Sequence, residues 1–460
     1  MKKLSVVYIA AVLSLCTLPL LLTPIWGEKN SAEKRDLAEF PVLIEDGAVN
    51  PAFSEELDGW ITDHFAFRSE LITANNLLKA KLFHSSDEDQ VIVGKNGWLY
   101  FAETAADYLG QNPLSEADIR HLTTTLDLME AYVSRHGGRL VFAVAPNKNT
   151  LYPENMPVYY RQTAEETNLD RLTHQLTGGG CASWPMPWNL KKALKNVREQ
   201  TYHARDSHWN NIGALQAYNT LLDTAETPHE TYAETNWEWQ RTWEGDLDAM
   251  IFPKLVRDWQ AVFHTEWTYQ YTSSFHSEED LLITTENKRG SGSLLIFRDS
   301  FSNALLPLLA QCYETAKFSR AVPYALYELE NTPYDTVILE IAERNLRNLL
   351  MSAPIMPAPL TEKAEAPLET DAVLKTRTVN GYRHYYGYLE EADAENARRI
   401  YLRLSNGADV RYAEAFPIYE SALLNSEEVQ SSGFSAYLPA DQTDGYQVSV
   451  VIQPEKQADR

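Results

Sequence analysis

The chain opens on its longest apolar run. From Leu4 to Trp26 only small polar residues and prolines interrupt the apolar side chains, and Lys2 and Lys3 stand before it. Such a run is long enough to span a bilayer, which needs roughly 20 residues. The basic flank stays inside and the remainder is exported, so residues 1–27 are expected to be an uncleaved anchor with an extracytoplasmic body behind it. A cleaved signal peptide competes with this reading. Against it, the run exceeds the usual apolar core of a signal and has no clear small-x-small site at its end. A lipoprotein signal before Cys16 would need a small residue where Leu15 stands.

The pattern then changes. Residues 28–51 are polar and read as a linker. Phe53, Leu57, Trp60, Ile61, Phe65, Leu71, Ile72, Leu77, Leu78 and Leu82 recur at helical spacing over 52–83. Val91 to Phe101 reads as a hairpin around Gly94-Lys95-Asn96-Gly97. Ser115 opens a helix with Asp118 placed to help cap it, and Ile119, Leu122, Leu126, Met129 and Val133 follow until Gly137-Gly138. Leu140 to Val144 is a short continuous apolar run, as in a buried parallel strand. A helix over 211–222, a strand over 294–297 with a helix to Leu309, and a strand over 336–341 continue the alternation. That alternation predicts an α/β sheet over 52–352. The stretch 224–292, rich in Trp and Tyr, reads as an insertion over the sheet's edge. Residues 353–369, with prolines, alanines and acids, read as a second linker. Over 370–455 the period becomes two, in 397–404, 434–438 and 446–452, with Asn406-Gly407 and Asp444-Gly445 as turns. That predicts a small all-β sandwich.

Composition narrows the partners. At 460 residues, two or more domains are expected. A net charge of −24 argues against nucleic acid and against a polybasic membrane contact. The 25 Tyr and 11 Trp residues suit sugar stacking as well as ordinary cores. Cys16, Cys181 and Cys312 show no metal spacing, and no metal or cofactor is expected. Cys181 and Cys312 are compatible with one bridge or with two free thiols.

Two segments carry chemistry. Arg205-Asp206-Ser207-His208-Trp209-Asn210 offers a carboxylate and an imidazole two positions apart. Arg298-Asp299-Ser300-Phe301 offers a hydroxyl at the end of a strand that turns into a helix. Serine hydroxyls need a base within hydrogen-bond reach, and the base's tautomer needs a carboxylate to fix it. Open α/β folds put such groups at the carboxyl edge of the sheet. Asn147 follows the strand at 140–144 and is a candidate oxyanion donor beside the Ser300 N–H. Lys148 and Arg298 are candidates to bind a carboxylate or phosphate.

Six blocks in order resemble one family. They are Trp60-Ile61-Thr62-Asp63-His64-Phe65-Ala66-Phe67-Arg68, Val93 to Tyr100, Val144-Ala145-Pro146-Asn147-Lys148 with Leu151-Tyr152-Pro153-Glu154, Asp206-Ser207-His208-Trp209, Arg298-Asp299-Ser300-Phe301, and Ile341-Ala342-Glu343-Arg344-Asn345. Together they resemble the SGNH-hydrolase-like family that holds the alginate O-acetyltransferases AlgX and AlgJ and the related Gram-positive DHHW proteins. The resemblance implies a three-layer SGNH-like domain with the chemistry in permuted order, Asp and His before Ser. It implies Ser300 as nucleophile, His208 as base and Asp206 as its orienter, with Gly245-Asp246-Leu247 as a further element near the site. Arg298 departs from the glycine usual before Asp-Ser. The implied activity is O-acetyl transfer or acetyl-ester hydrolysis on a cell-surface or exported polysaccharide, through an acyl-enzyme. The implied partners are the glycan acceptor and an acyl donor supplied by a membrane-bound O-acyltransferase. A non-catalytic glycan-binding or assembly protein that kept the fold, and an esterase for small substrates, are the alternatives. The C-terminal domain is open between carbohydrate binding and a structural role.

Overall fold

The computed structural model describes residues 2–27, 37–45, 47–162, 166–177, 190–232, 237–254, 257–407, 409–420 and 432–454. Cys181, and with it the question of a bridge to Cys312, lies outside these residues.

Helix α1 covers Lys2–Trp26. Among the described residues, its segment Ser5–Trp26 is the one stretch long and apolar enough to cross a membrane. Its end is tied to the body: Ala66 N donates to Thr23 Oγ1 at 3.3 Å, and the Trp26 and Phe67 rings lie 5.8 Å apart. The apolar period over 52–83 gives two helices, α2 (Phe53–His64) and α3 (Arg68–Phe83). They part where Phe67 adopts a left-handed φ of 63°, a turn that no periodicity announces.

The hairpin forms as expected, with β1 (Val91–Val93) and β2 (Leu99–Phe101) antiparallel. Helix α4 (Glu116–Arg135) starts with a capping box. Ser115 Oγ accepts from Asp118 N at 3.0 Å and Asp118 Oδ2 accepts from Ser115 N at 2.8 Å. Two orphan donors are satisfied there, a gain of about 1 kcal/mol. The strand β3 (Arg139–Ala145) follows, then helix α5 (Asn211–Thr224). A separate antiparallel ribbon comprises β4 (Trp237–Trp243) and β5 (Asp258–Phe263).

Strands β6 (Gln270–Tyr271), β7 (Leu282–Glu286), β8 (Ser293–Phe297), β9 (Thr315–Ser319) and β10 (Thr336–Ala342) join β3 in one sheet. Its order is β3-β10-β8-β9-β7-β6. The first four strands are parallel, and β7 and β6 add an antiparallel edge. The stretch 224–292 is therefore only partly a cover over the sheet: its second half extends the sheet itself. Alternate residues of β3 enter opposite cores. Leu140, Phe142 and Val144 pack with α4, while Val141, Ala143 and Ala145 pack with α5. Helices thus cover both faces, as a buried parallel sheet requires, and the three-layer α/β expectation is met.

The C-terminal region is a second sheet, of β11 (Ala372–Val379), β12 (Tyr382–Leu389), β13 (Ala397–Asn406), β14 (Asp409–Ile418), β15 (Gly433–Pro439) and β16 (Gln447–Pro454). Strand β14 belongs to both halves: Asp409–Ala415 pair with β13 and Phe416–Ile418 with β15. The halves close on one core that includes Tyr385, Leu402, Ala413, Phe434 and Ile452. Residues 353–369 do not behave as a free linker. Leu360–Thr361 pair with β14, Leu368–Glu369 pair with β16, and Ala353 and Met356 are buried against the α4 core. Prolines there break periodicity without preventing burial.

Candidate active site

Ser300 is the first residue of a tight turn after β8, the strand between β10 and β9. Asp299 fixes that turn. Its Oδ1 accepts from Phe301 N at 2.9 Å, and its Oδ2 accepts from Ala342 N at 2.7 Å and Asn345 Nδ2 at 3.0 Å. One carboxylate therefore caps the turn and staples it to the end of β10. Beneath it, Ser302 Oγ donates to the fully buried Glu340 at 2.7 Å. Burial, then the nearby Asp299, pushes the Glu340 carboxyl well above its usual range. The helix expected directly after β8 is instead this turn followed by a short helix, Leu306–Cys312, with Pro307 in its first turn.

The second segment is set by its own cap. Asn210 Oδ1 accepts from Ile212 N and Gly213 N, both at 3.0 Å, and starts α5. A Cβ on Gly213 would stand 2.3 Å from Thr201 O, so only glycine allows that approach. Trp209 Nε1 donates to Phe301 O at 2.9 Å and joins this segment to the Ser300 turn.

The three candidate groups are thus brought together. His208 Nδ1 donates to Asp206 Oδ1 at 2.8 Å, and His208 Nε2 lies 2.7 Å from Ser300 Oγ. With the carboxylate holding the proton on Nδ1, Nε2 is left to accept the serine proton. Burial of Asp206 would raise its pKa, but the hydrogen bonds and charge of His208 outweigh this and hold the carboxyl far below its usual range. Burial of His208 would lower its pKa; the Asp206 hydrogen bond and charge outweigh that and raise it.

The carboxylate is locked in place. Besides His208, Asp206 Oδ1 accepts from His208 N at 2.8 Å, and Oδ2 accepts from Trp243 Nε1 at 2.9 Å and Asp246 N at 3.0 Å. Gly245 makes the last bond possible, because a Cβ there would stand 2.3 Å from Arg205 O. Asp246 receives Ser207 N at 2.8 Å and Ser207 Oγ at 2.5 Å, and lies 3.5 Å from His208 Nδ1. It is a support of the loop beside the imidazole. Asp206, His208 and Asp246 stand close enough to suggest a metal cage. Their oxygens, however, are taken by N–H and O–H donors, which suits an oriented imidazole rather than a cation.

Two candidates for substrate contact are corrected. Lys148 is fully buried, and its Nζ donates to the carbonyls of His203 (3.0 Å), Ala204 (3.0 Å) and Asp206 (2.7 Å). It braces the loop from below and has no donor left for a ligand. Burial pushes its pKa down to about 7 against the pull of Asp206 and Asp246. Arg298 is buried. Its guanidinium donates to Asn303 Oδ1 (2.7 Å), Glu278 O (2.6 Å) and Asp280 O (3.3 Å), tying the loop before β7 to the end of β8. Its Nη atoms are thus engaged by protein oxygens, which argues against the carboxylate or phosphate contact expected of it.

Asn147 sits at the end of β3, two strands from Ser300, with its backbone N–H on Glu343 at 2.7 Å. Its side-chain amide is buried with neither end hydrogen-bonded. Three neighbours escaped the reading of the sequence. Trp243 bonds Asp206 from the ribbon, and His203 stacks on Trp243 at 4.6 Å. Arg344 lies over the Phe301 ring at 5.4 Å, beside the nucleophile turn. Only Arg344 had a signal, its place in the last of the six blocks.

Comparison with known proteins finds partial similarities. Residues 91–291 match the family model of the SGNH hydrolase-like domain of the acetyltransferase AlgX. That stretch is thus similar to the SGNH hydrolase-like domain of AlgX, as the resemblance implied; it includes Asp206 and His208 and ends before Ser300. The probable alginate O-acetylase AlgJ of Pseudomonas syringae pv. tomato is 24% identical over 220 residues, 48% of this chain and 52% of that protein. The chain therefore spans about half the length of this curated relative. Among solved structures, Bacillus cereus PatB1 with a sulfonyl adduct is 14% identical with a TM-score of 0.42, covering 56% of this chain and 95% of that one. A DHHW family protein from Eubacterium siraeum is 16% identical with a TM-score of 0.42, covering 56% and 93%.

Proposed function

We propose that the chain is a membrane-anchored, extracytoplasmic serine O-acetyltransferase that acts on a polysaccharide. The observation that carries this reading is the hydrogen-bonded series Asp206–His208–Ser300 at a sheet edge, on a domain of the AlgX type. Ser300 Oγ attacks the acetyl carbonyl of the donor while His208 Nε2 takes its proton. The tetrahedral oxyanion meets the Ser300 N–H, which has no partner inside its turn, and the Asn147 amide. Collapse expels the donor's leaving group, which takes the proton from His208, and leaves acetyl-Ser300. A sugar hydroxyl then attacks, gives its proton to His208, and leaves as the acetate ester while Ser300 regains its proton. The donor is supplied at the membrane by a membrane-bound O-acyltransferase, and α1 holds the domain there. Ser300 is half-buried, so water can replace the sugar, and the same atoms then make an esterase.

The test uses the full chain in detergent with p-nitrophenyl acetate, beside Ser300→Ala and His208→Ala. Intact-mass spectrometry should find one added acetyl group on the wild type and none on either variant. Equal background turnover in all three, with no adduct, would return the chain to the class of non-catalytic glycan-binding proteins.

A further inference from the structure

The ribbon β4–β5 presents aromatic surface beside the site, and nothing above accounts for it. Trp239 is 40% exposed and Trp259 is 54% exposed. The register pairs Trp239 with Ala261, so Trp239, Trp259 and Ala261 share one face of the ribbon. Both indoles line a cavity of about 440 Å³ together with Gln200, Ala204, Asn210 and Asp258. Ala204 and Asn210 each lie two residues from a member of the Asp206–His208 pair, so the cavity opens against the loop that carries the base.

A two-stranded ribbon is marginal alone, and this one is clamped. Asn211 Nδ2 donates to Ala261 O at 2.5 Å, and Trp243 Nε1 donates to Asp206 Oδ2. The indoles therefore hold a fixed position relative to the reacting groups. Large apolar side chains left in water on a rigid element, inside a concavity with polar neighbours, mark a ligand site. Indole faces suit the C–H faces of pyranose rings, and Gln200 offers an amide to hydroxyls, while the Asn210 amide is spent on its helix cap and on Gln200 O. The cavity's lining holds one carboxylate, Asp258, and no Lys or Arg. A chain with a net charge of −24 adds to the repulsion of an anionic polymer.

Resting on the acyl-transfer reading, we propose that Trp239 and Trp259 form the acceptor subsite, and that it takes an uncharged hexopyranose chain rather than a polyuronate. Binding is measured rather than turnover, so the result does not depend on whether acetyl-Ser300 forms. Saturation-transfer NMR and calorimetry would be run on the full chain in detergent with chitohexaose, cellohexaose and a β-1,4-mannuronate hexamer. At least one uncharged oligomer should bind. Trp239→Ala and Trp259→Ala should each weaken it roughly tenfold, and Trp239→Phe and Trp259→Phe should recover part of the loss. Unchanged affinity in both alanine variants, or no binding of any uncharged oligomer by the wild type, overturns the subsite. Tighter binding of the mannuronate hexamer overturns its preference for uncharged sugars. If the oligomer binds through the tryptophans while no acetyl adduct forms, the subsite stands and the transferase reading fails.

Discussion

The carboxyl edge of the parallel sheet and the interior of the C-terminal sheet handle buried polar groups in opposite ways. At the edge, side chains are buried and left incomplete: the Asn147 amide has no partner, and neither does either nitrogen of His203. In the C-terminal sheet, among the described residues, every buried side-chain nitrogen and oxygen has one. His384 lies 2.8 Å from Ser435 Oγ and takes Arg377 Nε at 3.1 Å, and Arg399 reaches both oxygens of Glu414 at 3.0 Å. An unpaired buried polar atom costs about 1–3 kcal/mol. Unpaired atoms also occur away from the edge, as at Thr125 Oγ1 and Tyr132 Oη of α4, so the contrast lies between the two regions as wholes. The contrast sets the candidate site against a region of satisfied packing, and the following variants test it.

Asp206→Asn should have the largest effect on chemistry. The amide cannot hold the proton on His208 Nδ1 while also accepting from Trp243 and Asp246. Turnover of p-nitrophenyl acetate should fall roughly a thousandfold or more with little change in the circular dichroism spectrum. A loss below about tenfold would mean that His208 is oriented by something other than this carboxylate.

Lys148→Met should couple the two properties. It deletes a buried cation whose donors hold three carbonyls of the loop, so thermal unfolding should report a loss of about 3 kcal/mol and turnover should fall with it. Lys148→Arg should not restore either, because a planar fork does not fit a point between three carbonyls. Full stability in the methionine variant would show that the loop is held by its own turn.

The pH dependence follows from the direction of the His208 shift. Its pKa is raised in the fold, mainly by Asp206 and then by Asp246 working against burial. The base must be neutral, so the acidic limb of the rate profile should have its midpoint above the ordinary histidine value of about 6.5. Stability runs the other way. A raised folded pKa contributes stability that is complete below the ordinary value and is lost as pH rises through the folded one. Across that window activity should increase while the contribution of this pair to stability decreases. Asp246→Asn should move the midpoint to lower pH by less than about one unit, about 1 kcal/mol of differential interaction. A midpoint unmoved by Asp246→Asn would exclude it as an electrostatic neighbour of the base.

Much of this was legible in the chain. The Asp-Ser segment named a strand end and the Asp-x-His segment a loop entering a helix, both edge positions in an alternation of short apolar runs with helical periods. What was not legible shares a physical cause: contacts between residues distant in sequence. Lys148 reads as an anion binder until three carbonyls more than fifty positions away close on it, and Arg298 reads the same way until the 278–280 loop engages it. The C-terminal sheet had one missed local signal, Asn380-Gly381. Both residues take positive φ there, 50° and 82°, and make the hairpin between β11 and β12. Strand β14 gave little signal because it is shared by both halves: Asp409–Tyr412 are half-buried and Ala413–Ile418 are buried without a break, so no alternation shows.

The smallest effect on turnover belongs to the satisfied region and tests the contrast from its other side. Burial, then Arg377, lowers His384 to about 4, so the ring is neutral at physiological pH. With Arg377 Nε donating to Nδ1, the ring proton is on Nε2 and is given to Ser435 Oγ. Ser435→Ala removes that acceptor and leaves a buried N–H unpaired inside a stack where the His384 and Tyr437 rings lie 4.2 Å apart. Thermal unfolding should report a loss of about 1–2 kcal/mol, and turnover of p-nitrophenyl acetate should stay at the wild-type rate. Replacing His384 and Ser435 together by Phe and Ala should recover most of the loss, because no polar group is then stranded. A fall in turnover with Ser435→Ala would mean that the two regions are energetically one, and that the completeness of the C-terminal sheet serves the site after all.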